Sequence, residues 1–244
     1  PHYQEAWQPL PPGFVHVPFD DLETAGVAVT DATCAILVEP IQGEGGDNHF
    51  RDSYLRDLQR MTHDIGALFI VDEVQTGFCR TGKMFACDHH GVRPDILCVA
   101  KAIGGGVPLG AVLCGDKVQH THGIHGSTFG GNPLACAVAR EALKVIEDEK
   151  LIEKSLFLGH YLKESLRNIL SPYVKEVRGM GLLIGVELKK SAGGARKFCE
   201  ALMGKGILCK ETHKHVIRFA PPLTITKEEL DWALDRIESV LTVP

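Results

Sequence analysis

The sequence predicts an α/β fold: a mostly parallel sheet flanked by helices, followed by a C-terminal α+β unit. Three observations predict it. Short apolar runs at Cys34–Val38, Ala67–Val71 and Ile96–Ala100 read as buried strands. A helical pattern separates the first two, and strand–helix–strand order implies parallel pairing. After Pro172 the character changes to short alternating runs at 174–189, 206–210 and 215–219, closed by an amphipathic helix. That change places a boundary near residue 150, dividing the chain into 1–150 and 151–244.

In chain order, residues 1–20 are rich in proline and aperiodic, and read as an extended leading segment. The run Cys34–Val38 ends in Glu39-Pro40, so a carboxylate sits at its C-terminal edge. Residues 41–50 contain Gly43, Gly45 and Gly46 and read as a loop. Asp52 or Ser53 can cap a helix whose Leu55, Leu58, Met61, Thr62 and Ile65 share one face, with Gly66 as its stop. The second strand ends in Asp72-Glu73 and the third at Lys101. A fourth, Ala111–Cys114, follows the run Gly104-Gly105-Gly106. Asn132-Pro133 combines an N-cap with a proline suited to the first helical position, opening a helix to about Lys150. A second helix covers roughly 151–169. The terminal helix, 227–241, places Leu230, Ala233, Leu234, Ile237 and Leu241 on one face.

Composition excludes several classes of function. Of 244 residues, 26 are Lys or Arg and 31 are Asp or Glu, a formal net charge of -5. A nucleic-acid or anionic-membrane binder needs a basic excess. The hydrophobic fraction of 44% suits a packed core. No uninterrupted apolar run exceeds six residues, so no stretch can span a bilayer. The first residues have neither a basic nor an apolar block, and no secretory signal is expected. The eight cysteines form no CxxC pair, and several lie inside apolar runs. They read as buried thiols of a reducing, cytoplasmic protein. His120, His122 and His125 lie in a polar loop without a carboxylate or cysteine at ligand spacing, so no metal is expected.

Glu39, Asp72 and Lys101 end successive strands. In an open parallel sheet, the crevice beyond the strands' carboxyl ends is where ligands bind. A lone strand-end charge is ordinarily just solvated; three on one edge beside a glycine run point to a site. Lys101 precedes Ala-Ile-Gly-Gly-Gly, a backbone that lets other groups approach closely. A desolvated lysine loses its proton more easily and becomes a nucleophile toward aldehydes. A carboxylate pairing with a protonated pyridine nitrogen makes pyridoxal phosphate an electron sink. Asp72 and Lys101, one strand apart, supply that pair.

The segments VDEVQTGFCRTGKMFACDHHGVRPDILCVAKAIGGGVPLGAVL (71–113) and HGSTFGGNPLACAVAREAL (125–143) resemble the class III (ω-) aminotransferases, pyridoxal-phosphate enzymes of fold type I. The resemblance covers nearly the whole chain. It implies that 1–150 is the C-terminal part of the cofactor-binding large domain and 151–244 the small domain. It also implies roles. Lys101 condenses with the cofactor aldehyde and later moves the proton between Cα and C4′. Asp72 pairs with the pyridine nitrogen, Val74 packs on the ring face and Gln75 approaches the ring hydroxyl. Thr128, beside Ser127, resembles the residue that reaches the cofactor phosphate of the neighbouring subunit, which implies a homodimer with shared sites.

Gly206–His213 and Val216–Leu223 resemble the ending of the ornithine aminotransferases. In that family the arginine of IRFAPPL, here Arg218, serves the carboxylate of the amino-acid or 2-oxo-acid substrate. A guanidinium suits this because it binds a carboxylate bidentately. The glutamate of VEPIQGE, taken as Glu39, resembles the gate that pairs with this arginine, closed for ornithine and open for a glutamate-type substrate. The implied reaction transfers the δ-amino group of ornithine to 2-oxoglutarate, giving glutamate semialdehyde and glutamate. The alternatives are an acetylornithine or related ω-amine aminotransferase, or a non-catalytic remnant.

Two departures from the family stand out. Gly45–Asp52 occupies a stretch where relatives usually carry apolar residues and prolines, which puts substrate choice in question. No phosphate-cradling glycine loop at a helix start precedes Asp72. The family carries that loop before the equivalent of residue 1, so the sequence is expected to be the C-terminal part of a longer enzyme.

Overall fold

The structure, a computed structural model, describes residues 2–51, 53–119 and 121–242. It opens with α1 (His2–Glu5) and α2 (Leu22–Ala28). Asp21 caps α2, its Oδ1 accepting from the Thr24 N–H at 2.9 Å. After β1 (Ala35–Val38) the chain forms an antiparallel hairpin, β2 (Ile41–Gln42) and β3 (Asn48–His49), where the sequence predicts only loop. Gly46, at φ +115°, and Asp47, at φ +51°, let the chain reverse between these strands. Next come α3 (Tyr54–Asp64), β4 (Leu68–Asp72), β5 (Ile96–Val99) and β6 (Ala111–Cys114). Ser53 is the N-cap of α3 but makes no side-chain capping bond; Asp52, the other expected cap, lies outside the described residues.

The first sheet has the order β1-β4-β5-β6. Its first three strands are parallel, and β6 runs antiparallel to β5. The sheet is therefore mostly parallel, as the strand–helix–strand order requires. The edge strands differ from expectation. Only the central strands are well covered, through Phe69, Val71, Leu97 and Val99. Leu37 on β1 and Val112 and Leu113 on β6, the two outer strands of this sheet, are exposed. The thiols divide likewise: Cys79, Cys87 and Cys199 are buried, whereas Cys34, Cys114 and Cys136 are exposed, and all eight are free.

Two long helices follow, α4 (Pro133–Asp148) and α5 (Leu151–Asn168). Asn132 caps α4, accepting from the Ala135 N–H at 3.0 Å, with Pro133 in the first turn. Beyond them lie β7 (Val174–Met180), β8 (Leu183–Leu188), α6 (Arg196–Gly204), β9 (Lys210–Thr212), β10 (Val216–Phe219) and α7 (Lys227–Leu241). The second sheet is antiparallel, in the order β7-β8-β10-β9. The alternating pattern predicts these strands but not α6, and it predicts β9 over 206–210, upstream of where it forms. Thr226 and Glu229 close a reciprocal capping box at the start of α7.

Each sheet has its own apolar core. Leu55, Leu58, Phe69 and Val71 centre the first. Leu162, Ile184, Ile217, Leu230 and Ile237 centre the second. Helix α5 belongs to both: Leu151 packs in the first core and Leu158 in the second. The two cores are joined where backbones nearly touch. A Cβ on Gly159 would stand 2.0 Å from the Gly181 carbonyl oxygen, and one on Gly181 would stand 2.5 Å from the Thr81 carbonyl carbon. Arg80 fastens this junction. Its Nη1 donates to the carbonyls of Leu182 at 3.1 Å and Pro221 at 2.5 Å, and its own carbonyl accepts from the Leu182 N–H at 2.9 Å.

The junction yields a stability prediction. Gly159→Ala must separate two backbones and is expected to cost about 3 kcal/mol or more, the upper range for overpacking. Gly204→Ala, near the end of α6 with nothing within 4 Å of the added carbon, should be neutral or stabilising by up to about 1 kcal/mol, since alanine favours the helix. Urea unfolding of both variants checks the contrast.

Candidate active site

The carboxyl edge of the parallel strands carries Glu39, Asp72 and Lys101, as their positions after β1, within β4 and after β5 require. Lys101 is the least ordinary of them. It has φ +50° although it carries a side chain, and it opens a short 3-10 turn over Lys101–Gly104 that ends at Gly105, φ +52°. Left-handed backbone at a bulky residue costs about 1–3 kcal/mol and concentrates at functional sites. The turn packs on α4, where a Cβ on Gly105 would meet Val138 at 3.3 Å. A larger residue there would press on the helix behind the lysine. Burial pushes the Lys101 amine below its usual pKa, and Arg218 pushes it further, while Glu44, Asp72 and Glu39 oppose the shift. One ammonium thus feels four charges from both sheets.

Asp72 is held by a turn of its own: its Oδ1 accepts from the Val74 N–H at 2.9 Å. Among the described residues its Oδ2 accepts no hydrogen bond, so it is available to a donor in the crevice. Glu73, one residue on, points the opposite way and is fully buried. It accepts from the Cys87 N–H at 2.7 Å and from the Thr76 hydroxyl, which pins the 73–87 segment behind the site.

Arg218 reaches the same edge from β10. Its Nη2 pairs with Glu44 Oε1 at 3.0 Å, and its Nη1 donates to Gln75 Oε1 at 3.0 Å. The partner expected from the sequence was Glu39, and the structure corrects this. Glu39 accepts from the Gly43 N–H at 3.2 Å, and burial raises its pKa. Glu39 therefore holds the turn that follows it, while Glu44, at the far end of the same motif, meets the arginine. The hairpin explains the exchange. Gly43 lies so close to Gln75 that a Cβ would fall 2.5 Å from Oε1, so the chain passes over Gln75 and delivers Glu44 beyond it. Glu44 also accepts from Lys210 Nζ at 2.9 Å. The Lys210 hydrogen bond, the largest influence, holds its pKa below the usual carboxylate value; burial opposes this and Arg218 adds to it.

The hairpin is tied down on the second sheet. The Thr212 hydroxyl donates to the carbonyls of Gly43 at 3.1 Å and Glu44 at 2.7 Å. Arg178 donates to the carbonyls of Gly46 at 2.6 Å and Asp47 at 3.1 Å. Asp47 is fully buried, and among the described residues neither of its carboxylate oxygens has a hydrogen-bond partner. Glu44, Asp47 and Lys210 are site residues the sequence reading missed, although VEPIQGE ends at Glu44, Gly206–His213 contains Lys210 and the departure of residues 45–52 from the family includes Asp47.

Ser127 and Thr128 are not brought to this edge. Both lie in an exposed loop, where Ser127 Oγ accepts from the Gly130 N–H at 2.9 Å. Ile124, Phe129 and Leu134, near them along the chain, are exposed, as are Val112 and Leu113 of β6. Among the described residues no group of three His, Cys, Asp or Glu side chains could hold a metal ion; His120 lies outside them. No helix there is long and apolar enough to cross a membrane.

A lysine with an eased proton, a carboxylate with one open oxygen and an arginine paired with a half-exposed carboxylate suit amine chemistry on a carboxylate-bearing substrate. Comparison with known proteins agrees. Ornithine aminotransferase 2 of Staphylococcus saprophyticus is 52% identical over 243 residues, covering 98% of this chain and 61% of that protein. The ornithine aminotransferase of Halalkalibacterium halodurans is 50% identical over 242 residues, covering 98% and 60%. The chain thus spans about three-fifths of the length of these relatives. Among solved structures, an ornithine aminotransferase of Toxoplasma gondii, with pyridoxal phosphate at partial occupancy in its active site, superposes with a TM-score of 0.93 at 43% identity. That match covers 97% of this chain and 58% of that one. An acetylornithine aminotransferase of Elizabethkingia anophelis gives a TM-score of 0.87 at 40% identity, covering 95% and 63%. The family model for class III aminotransferases matches residues 1–241. The chain belongs to the class III aminotransferases.

Proposed function

We propose that this chain carries the lysine-bearing part of a pyridoxal-phosphate-dependent ornithine aminotransferase. The reaction transfers the δ-amino group of ornithine to a 2-oxo acid, 2-oxoglutarate, giving glutamate semialdehyde and glutamate. Residues 1–150 serve as the C-terminal part of the cofactor-binding large domain and 151–244 as the small domain. The observation that carries the reading is the ion pair of Arg218 with Glu44, beside the Lys101–Asp72 edge.

The residues present fit the ring end of the cofactor. Lys101 has its proton affinity lowered, as condensation with an aldehyde requires. The open Oδ2 of Asp72 suits a pyridinium N–H. Val74, two residues on, would pack on the ring, and Gln75, whose Oε1 already serves Arg218, keeps its amide NH2 for the ring hydroxyl. Bound there, pyridoxal phosphate supplies an electron sink for the carbon that loses its proton. Lys101 is the base positioned to take that proton and return it, and Asp72 holds the charge on the ring nitrogen. Thr128, with Ser127, would serve the phosphate of a second copy in a homodimer; the exposed apolar residues near them along the chain support such an interface.

Arg218 and Glu44 sort substrates. While they remain paired, the guanidinium is satisfied and the crevice presents no free cation to the ornithine chain. When a 2-oxo acid arrives, its carboxylate takes the place of Glu44. Glu44 keeps Lys210 as a partner, so it can turn aside without becoming an isolated charge.

Two experiments test the reading. The chain mixed with pyridoxal phosphate should develop a visible absorbance band that sodium borohydride bleaches and that Lys101→Ala abolishes. With ornithine it should release glutamate semialdehyde; activity confined to the N-acetylated amine would overturn the ornithine assignment. Arg218→Lys keeps the charge but loses the paired donors, each worth about 1.5–3 kcal/mol to a charged partner. The KM for 2-oxoglutarate should rise about 10–100-fold, with a much smaller change for ornithine.

A further inference from the structure

Three strands of the second sheet place Arg178, Gly185 and Arg218 directly opposite one another, and Lys210 continues the row on β9. Residues opposite each other in antiparallel strands share a face. The sheet therefore presents three cations in a line, interrupted by one glycine. Asp47 fills that interruption. A Cβ on Gly185 would stand 3.1 Å from the Asp47 Cβ and 3.3 Å from its Oδ2. The Asp47 carboxyl thus lies over Gly185, in the row between Arg178 and Arg218, fully buried and, among the described residues, without a hydrogen-bond partner.

Taking Arg218 as the substrate-carboxylate site, we propose that Asp47 is a proton-linked specificity residue of that site: it takes up a proton when a substrate carboxylate arrives on Arg218, so that carboxylate binding weakens as pH rises.

The charge arrangement gives the reason. Glu44 remains tethered by Lys210 when it leaves Arg218, so an incoming carboxylate adds negative charge to the cluster rather than replacing it. The groups facing Asp47 are Arg178 from β7, Arg218 from β10 and Glu44 from its own hairpin. His213 lies against neighbouring Gly46, and His49, on the adjacent strand, is kept neutral near pH 7 by burial, its pKa falling to about 4. Of these, Glu44 already has two cationic partners and its pKa is lowered. Asp47 is the acid able to absorb the added charge by protonation. Burial pushes its pKa up to about 7 despite both arginines, so it changes charge in the neutral range.

The test is calorimetric titration of the full chain, with pyridoxal phosphate present, using glutarate as an unreactive dicarboxylate probe. It is run between pH 6.5 and 8.5 in two buffers of different ionisation enthalpy. The wild type should take up about 0.5–1 proton per glutarate at pH 8, and its Kd should rise close to tenfold per pH unit above neutrality, the limit for one linked proton. Asp47→Asn, which keeps the notch filled, and Asp47→Val, which removes the polar group, should each bind without proton uptake and with a flat Kd. Absence of proton uptake in the wild type, or the same uptake in whichever variant folds, overturns the proposal while leaving Arg218 as the carboxylate site. Glutarate binding that is absent, or unchanged in Arg218→Lys, overturns that reading together with the proposal.

Discussion

The constraint on which the rest depends is the close approach of two backbones at Gly159, Gly181 and Thr81, secured by Arg80. Lys101 and Asp72 belong to one sheet and Arg218 to the other, so the site exists only while the sheets keep a fixed relation. Arg80 is suited to fixing it. Its guanidinium is taken from water and spent on main-chain carbonyls of the second unit. Burial lowers its pKa to about 10, which still leaves it charged at neutral pH. Those carbonyls are part-buried acceptors, and leaving one without a partner costs up to about 1–3 kcal/mol, the range for a buried group. The joint is directional and sensitive to fractions of an ångström, as a site assembled from two sheets requires.

A second connection runs through the hairpin between β2 and β3, covalently part of the first unit but hydrogen-bonded to the second. Thr212 and Arg178 hold its backbone, and Glu44 hands its carboxylate to Arg218 and Lys210. Because these contacts use main-chain carbonyls, the hairpin can keep its place when the Glu44 side chain turns. In the proposed reaction the part that must move is one side chain on a fixed backbone, a low-entropy way to meet substrates with and without a second carboxylate.

Much of this was legible in the sequence. Apolar runs ending in charged residues located the parallel strands and put Asp72 and Lys101 on one edge, because a strand's direction fixes which end its last residue occupies. Asn132-Pro133 marked the start of α4 through capping chemistry that acts within a few residues. The edge character of β1 and β6 was not legible, since an apolar run looks the same whether or not a neighbour covers it. Helix α6 and the hairpin were missed because both are short and owe their form to packing. The ion-pair partner of Arg218 was misread for a related reason. VEPIQGE offers two glutamates, and only the path of the chain over Gln75 decides which one arrives.

Gly185 shows how a functional demand can be met by a missing side chain. Four strands side by side would normally fill one row with four side chains. A row holding Arg178, Arg218 and Lys210 sets like charges within about 5 Å across neighbouring strands, which is destabilising. The glycine keeps the two arginines one full strand apart and opens a notch for a counter-charge from elsewhere in the chain. Glu44 meets part of that need at Arg218 and Lys210, and Glu187 meets another part at Arg178 through a 2.5 Å contact. The space between belongs to Asp47. An apolar residue there would fill the notch equally well, so shape does not require an acid. Electrostatics does not require a permanent one either, since burial opposes the arginines and leaves the carboxyl near its midpoint at neutral pH. A residue dictated by neither packing nor a fixed ion pair, placed beside the arginine proposed to take the substrate carboxylate, is the part of this site most open to variation.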